Sequence, residues 1–197
     1  DHDGADGASP RRFWRWYVRP KSADDDVSRT ARSAVLLEVH TNDVVDRVWR
    51  LLRTLRLPQT VNDALIGAAG RHDLGKGRRL WQRSIGSLDP GVLLAKAGAT
   101  RLGQWVRPVE LGADYRHEFG SLLDMCKEHP DQDDLMLHLV AAHHGRGRPH
   151  FDAGEVFDPE YPRDVVDRVA SEVPRRFARL QRRFGRWGLA YLESLLR

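Results

Sequence analysis

The sequence predicts an all-α helical bundle, and three observations predict it. Apolar residues recur at spacings of three, four and seven in one segment after another. No segment alternates convincingly with the period of two that marks a strand. An apolar content of 41% over 197 residues supplies one hydrophobic core and little more. The expected division is an N-terminal linker or docking arm over residues 1–29 and one helical domain, with a metal pocket among its central helices, over 30–197.

The arm begins without methionine in a stretch rich in Gly, Asp and Ser, which suggests a linker and a piece of a longer polypeptide. Its aromatic and basic run, Arg12 to Val18, is read as packing on its own domain or a neighbour in preference to stacking on bases. A first helix is expected over 28–55, with Leu37, Val44, Val48, Leu51 and Leu55 on one stripe and His40 in the stripe's vacant place, pointing inward. A second runs over 61–71 and is broken after His72-Asp73 by Gly75 and Gly77, and a short third over 78–85 has Trp81 on it. Residues 86–111 read as a Gly- and Pro-rich loop. Helices over 115–127 and 131–144 follow, the latter apolar around much of its circumference and therefore central. Two more, over 163–184 and 187–197, close the chain after a loop.

Composition excludes several classes. A single cysteine, Cys126, permits no internal disulfide, and no apolar run is long enough for a membrane span, so a cytoplasmic protein with no membrane partner is expected. The balance of 32 Lys plus Arg against 28 Asp plus Glu, net +4, permits nucleic-acid binding without showing it.

The chemistry concentrates in two adjacent pairs, His72-Asp73 and His143-His144, to which His40 and His117 add two nitrogens. Buried neighbouring imidazoles without partners would cost several kcal/mol, and metal ligation removes that cost. A carboxylate has two oxygens, so Asp73 can bridge, and two cations held about 3.5 to 4 Å apart can activate water for in-line attack on a phosphoester. Lys76, three residues beyond Asp73, meets a substrate phosphate if helical geometry persists and is a solvated cation if it does not. Arg116 and Ser121 are expected to orient ligands or phosphate, and Arg146 and Arg148 either touch a polynucleotide backbone or belong to a solvated loop. Nitrogen-rich ligation favours two divalent transition-metal ions, manganese, nickel, cobalt or iron ahead of zinc and magnesium. Of the remaining histidines, His138 is expected to be a hydrogen-bonded core residue and His129 a surface one, while His150 could approach the pocket.

Taken together, Leu37-Glu-Val-His40, His72-Asp-Leu-Gly-Lys76, Arg116-His-Glu118 with Ser121, His143-His-Gly145 and the tail from Trp187 to Glu193 resemble the HD superfamily of metal-dependent phosphohydrolases. Within it the chain is most similar, over 36–197, to the HD nuclease domain of CRISPR-associated type I helicase-nucleases. The resemblance implies an HD-type bundle in which His40, His72 and Asp73 hold one metal and Asp73, His117, His143 and His144 the other. It also implies an enzyme that degrades single-stranded DNA, fed by a helicase domain of the same longer chain and recruited by an RNA-guided surveillance complex. The family's late Asp has no counterpart before Arg197, and neither Asp152, Asp164 nor Asp167 falls in its place. The expectation is therefore a shortened chain or a first metal site completed differently, with the nuclease domain following the helicase. The competing readings are an HD phosphohydrolase for small nucleotides and a catalytically weakened binding module. A cyclic-dinucleotide phosphodiesterase is disfavoured, because no Gly-Tyr-Pro follows the His pair.

Overall fold

The computed structural model describes residues 30–31, 33–87, 89–98, 115–128 and 131–197. The arm over 1–29, His129 and the stretch 99–114 lie outside the described residues. What is described is mostly helical. The helices are α1 (Leu37–Leu52), α2 (Gln59–Ala69), α3 (Arg79–Ser84), α4 (His117–Glu128), α5 (Asp134–Ala142) and α6 (Arg163–Ser194), with 3-10 turns at Leu74–Gly77 and Ala153–Glu155.

Three short strands depart from the strand-free expectation. β1 (Thr30–Ala31) runs parallel to β3 (Leu94–Gly98), and β2 (Val35–Leu36) runs antiparallel to it, giving the order β1-β3-β2. β3 falls inside the segment expected to be loop. Its inward positions are Ala95 and Ala97, side chains too small to give a visible alternation, so the pattern stayed below notice. The sheet also claims the residues before Leu37, which is why α1 starts nine positions later than the periodicity suggests.

Along α1 the stripe is as expected except at its end, where Leu52 is buried and Leu51 is 39% exposed. α5 is capped at its N-terminus by Asp133, whose carboxylate accepts from the Leu135 and Met136 amides at 2.8 and 3.2 Å. Its buried residues Leu135, Leu139, Val140 and Ala141 meet Leu65 and Ala68 of α2, Phe119 and Leu122 of α4, and Leu180 and Leu189 of α6 in one core. α6 breaks at Gly185, where φ is 70° and ψ 169°, so the two closing helices expected from the sequence are present as two arms of one element. Only glycine adopts that conformation without strain. No helix among the described residues is long and apolar enough to cross a membrane.

A close backbone approach places the candidate functional residues. The turn Leu74–Gly77 lies directly on α4, with Gly75 against the His117 carbonyl and Gly120. A Cβ on Gly75 would collide with the His117 oxygen and stand 2.8 Å from the Ser121 nitrogen. The glycine is needed for proximity, and the sequence reading had assigned it to helix breaking. The Gly75 amide donates to Ser121 Oγ at 2.9 Å, and Tyr115 donates its hydroxyl to the Gly75 carbonyl at 2.8 Å. Gly77, by contrast, has open space where a Cβ would go.

Gly75→Ala is therefore expected to destabilise the protein by about 1–3 kcal/mol through overpacking, while Gly77→Ala stays within about 1 kcal/mol of the parent. Denaturant midpoints of the two variants check this; equal midpoints would remove close approach as the reason for Gly75.

Candidate metal centre

Four elements converge on one carboxylate. α2 ends at Ala69, and the turn after it presents His72 and Asp73. α1 brings His40, the first residue of α4 is His117, and α5 ends into His143 and His144. Asp73 is 2% exposed. Its Oδ2 lies 3.3 Å from His40 Nε2 and 3.3 Å from His72 Nε2. Its Oδ1 lies 3.3 Å from His117 Nε2 and 3.7 Å from His143 Nε2. Two ligand groups result, His40-His72-Asp73 and Asp73-His117-His143-His144, each with donor atoms within 4.8 Å of one another and with Asp73 in common. All six residues singled out as ligands are thus brought together.

The imidazoles are set to offer lone pairs. His72 Nδ1 faces the Ala69 carbonyl at 2.8 Å and His143 Nδ1 faces the Val140 carbonyl at 2.7 Å. A nitrogen facing a carbonyl must be the protonated one, so in the neutral ring each Nε2 is left as an acceptor aimed at Asp73. His117 Nδ1 is similarly 3.4 Å from Glu118 Oε2, and its Nε2 is 3.3 Å from His143 Nε2. Burial pushes His117 down to about 3, Lys76 acting in the same sense and Asp73 against it. Burial pushes His143 well below the ordinary imidazole value too, helped by His144 and His117. Burial would raise the Asp73 carboxyl, but its close neighbours, His72 and Lys76 first and then His117 and His40, outweigh it and hold the group well below the usual carboxylate range. Lys76 brings one cation to Asp73 Oδ2, but the nitrogen lone pairs around the carboxylate still face one another and Asp73 Oδ1, a repulsion that a cation among them would relieve. Both Asp73 oxygens, moreover, are buried without a hydrogen bond meeting ordinary geometry. A donor set of this kind fits a metal ion, and its nitrogen content fits a transition metal better than magnesium.

The residues expected at the substrate are placed elsewhere. Lys76 is 1% exposed, with Nζ 2.9 Å from Asp73 Oδ2 and over the Trp81 ring. The 3-10 turn stacks residues three apart and so lays Lys76 on Asp73, an outcome different from both fates expected for it, since the ammonium is neither solvated nor turned to a substrate phosphate. Ser121 is fully buried and its Oγ bonds the His72 and His117 carbonyls at 2.7 and 2.8 Å, so it splices the turn to α4. Arg116 Nε reaches Glu155 at 2.8 Å and Arg146 Nη1 reaches the same carboxylate at 3.1 Å. Arg148 pairs with Glu193 at 3.0 Å beside Phe177. None of the five points a free polar group at a substrate. The arginines are consumed by buried carboxylates distant in sequence, which a local reading of charge cannot anticipate.

Those carboxylates are the residues sequence reasoning missed. Glu155 is held by a capping box with Asp152, and its two arginines flank His117 and His144, so it ties α4 to the loop after α5. Asp124 and Asp158 clamp buried Arg78, at 2.7 and 3.1 Å, and so fix the start of α3. The Asp-x-x-Glu spacing of 152–155 was the one available signal. His138 Nε2 donates to Glu193 Oε1 at 2.8 Å, and the residue is the core histidine expected. His150 stays exposed near Asp152 and belongs to neither ligand group. Gly145, which ends the His-His segment, has φ 81° and closes the chain reversal that a side chain would strain.

Compared with models of known protein families, with curated proteins and with solved structures, the chain matches none.

In the metal-free protein, an unfolded imidazole takes up protons below about 6.5, whereas His117 in the folded chain waits until about 3. The unfolded state then binds more protons, so stability is full above about 6.5 and is lost as pH falls, by up to about 1.4 kcal/mol per pH unit per ring. His143 adds in the same direction. The Asp73 contribution is full above the ordinary carboxylate value and is lost only below it. The melting temperature of chelator-treated protein is expected to drop between pH 7 and pH 5; a flat profile would mean these rings are not held neutral by burial.

Proposed function

We propose that this chain is a metal-dependent nuclease domain that hydrolyses phosphodiester bonds of single-stranded DNA at a dinuclear centre. The observation that supports it most is the single buried carboxylate whose two oxygens face two separate sets of imidazole nitrogens. In this reading His40, His72 and Asp73 hold one divalent ion, and Asp73, His117, His143 and His144 the other, with manganese, nickel, cobalt or iron ahead of zinc and magnesium. Such a pair of ions, when bound, polarises the phosphoryl oxygens and supplies a water nucleophile at neutral pH.

The residues do the positioning. Asp73, ionised and desolvated, keeps the two ligand sets in register. The carbonyls of Ala69 and Val140 hold His72 and His143 in one tautomer. Lys76 balances the Asp73 charge from beneath, and Trp81 packs 4.9 Å from the His117 ring and keeps water from that side. His144 is exposed and His40 half-buried, so substrate reaches the centre along the edge that these two residues define.

The likeness of the motifs to the HD nuclease domain supports single-stranded DNA as substrate. In that context a helicase domain of the same longer chain feeds the strand, and an RNA-guided CRISPR surveillance complex recruits it. One observation favours a second reading, hydrolysis of a small nucleotide: the pairing of Arg146 and Arg148 removes the cations expected on a strand at that loop.

Purified protein with manganese, nickel or cobalt is expected to degrade unstructured single-stranded DNA in a chelator-sensitive manner. Asp73→Ala should lower the rate at least about a hundredfold, with a cooperative melt retained. Nucleotide hydrolysis without DNA cutting would transfer the assignment to the second reading, and no hydrolysis of either with any metal would sink both. Titration of the chelated protein with cobalt should give two bound ions per chain, reduced to one in His40→Ala; a single ion in the parent would contradict a dinuclear centre.

A further inference from the structure

Trp187 is 83% exposed, the most exposed large apolar side chain in the described chain, and Tyr191 one turn later is 46% exposed. Isolated apolar exposure is ordinary, but a whole indole in water beside a second ring is not. The pair follows the break at Gly185, which turns the last arm of α6 so that Leu189, Leu192 and Leu196 are buried and the opposite face is left bare. Residues four apart share a helix face, and the rise between them is about 6 Å, so the two rings form adjacent steps of one surface.

The charged residues that flank these rings along the chain are almost all of one sign. Between Leu180 and Arg197 the sequence carries Arg182, Arg183, Arg186 and Arg197, and its one carboxylate is Glu193. Glu193 points inward, bonded to His138 and Arg148. Arg182, Arg186 and Arg197 have no carboxylate partner among the described residues, and Arg183 lies over the Phe184 ring. This contrasts with Arg116, Arg146 and Arg148 near the centre, each of which is paired with a carboxylate, the first two sharing Glu155. The surface also leads somewhere. A Cβ on Gly145, the residue after His144, would stand 2.9 Å from Arg197 Nη2, so the end of this arm abuts the exposed His144 edge of the centre.

We infer that Trp187 and Tyr191 on the last arm of α6, with the exposed arginines on either side of the break at Gly185, form a binding track for single-stranded nucleic acid, with bases stacked on the two rings and phosphates on the arginines. Aromatic faces set among unpaired arginines meet both chemical needs of such a strand, π-stacking and backbone neutralisation. Self-association through this face is opposed, since a two-fold contact would set the same arginines against one another. The inference rests on the nuclease reading only in that it supplies that reading with the strand contacts which Arg146 and Arg148 do not provide.

The test is fluorescence anisotropy of a labelled oligothymidylate of about 15 nucleotides on the full chain in chelator, where no hydrolysis intervenes. Trp187→Ala and Tyr191→Ala are each expected to weaken binding about tenfold, and Trp187→Phe, which keeps a π face, to recover most of it. Arg186→Gln should lower the slope of log affinity against log salt by about 0.7, the value for one single-strand phosphate contact. Unchanged affinity in Trp187→Ala would overturn the track, as would self-association by sedimentation that is lost in that variant, which would give the face to a second copy. Trp187-dependent binding without cleavage under any metal would retire the nuclease reading and leave the track standing. Cleavage with binding indifferent to Trp187 would retire the track alone.

Discussion

The Asp73 carboxylate is the point on which the rest of this structure depends. An ionised carboxylate taken out of water is costly unless it is compensated, and here Lys76 balances its charge while imidazoles from α1, from the turn after α2 and from α4 face its oxygens. Its position requires the 3-10 turn, the turn requires a glycine pressed on α4, and α4 is bound to that turn by Ser121 and Tyr115. The bundle is therefore less a scaffold with a site added than a packing solution that brings five imidazoles to one buried charge. Lys76 completes the balance, so the centre without metal is close to neutral despite its depth.

Around the centre lies a layer of long-range ion pairs: Arg116 and Arg146 on Glu155, Arg148 on Glu193, Arg78 on Asp124 and Asp158. Buried pairs contribute little net stability against apolar replacements, but removing one partner strands the other. Their value is geometric. Each ties a segment bearing a candidate ligand, or the turn behind it, to another part of the chain, and a ligand's orientation is set by what holds its segment. The cost is that these arginines are lost to substrate, and basic charge free to meet a polyanion is found instead on the outer face of α6.

Much was legible in the sequence. The helical class, the buried character of α5, the break near Gly185, the inward turn of His40 and the six candidate ligands all follow from residue type and spacing, because helix periodicity and the cost of burying imidazole are local facts. Less legible were β3, whose buried residues are alanines, and the start of α1, which the sheet decides. The arginines near the centre misled for one reason: a charge in a sequence shows its chemistry and not its partner.

What the sequence determined by itself, then, is which side chains could hold a metal and which faces of the helices are apolar. Only the tertiary structure decided that both oxygens of one carboxylate would face two nitrogen sets, that Lys76 would neutralise Asp73, that Arg116 and Arg148 would be held by acids far away in the chain, and that Arg146 would share Glu155 with Arg116. The physical reason is range. Periodicity, capping and burial preference act within a few residues and can be read along the chain, whereas charge pairing and close backbone approach act across space and exist only once the core has brought distant segments together.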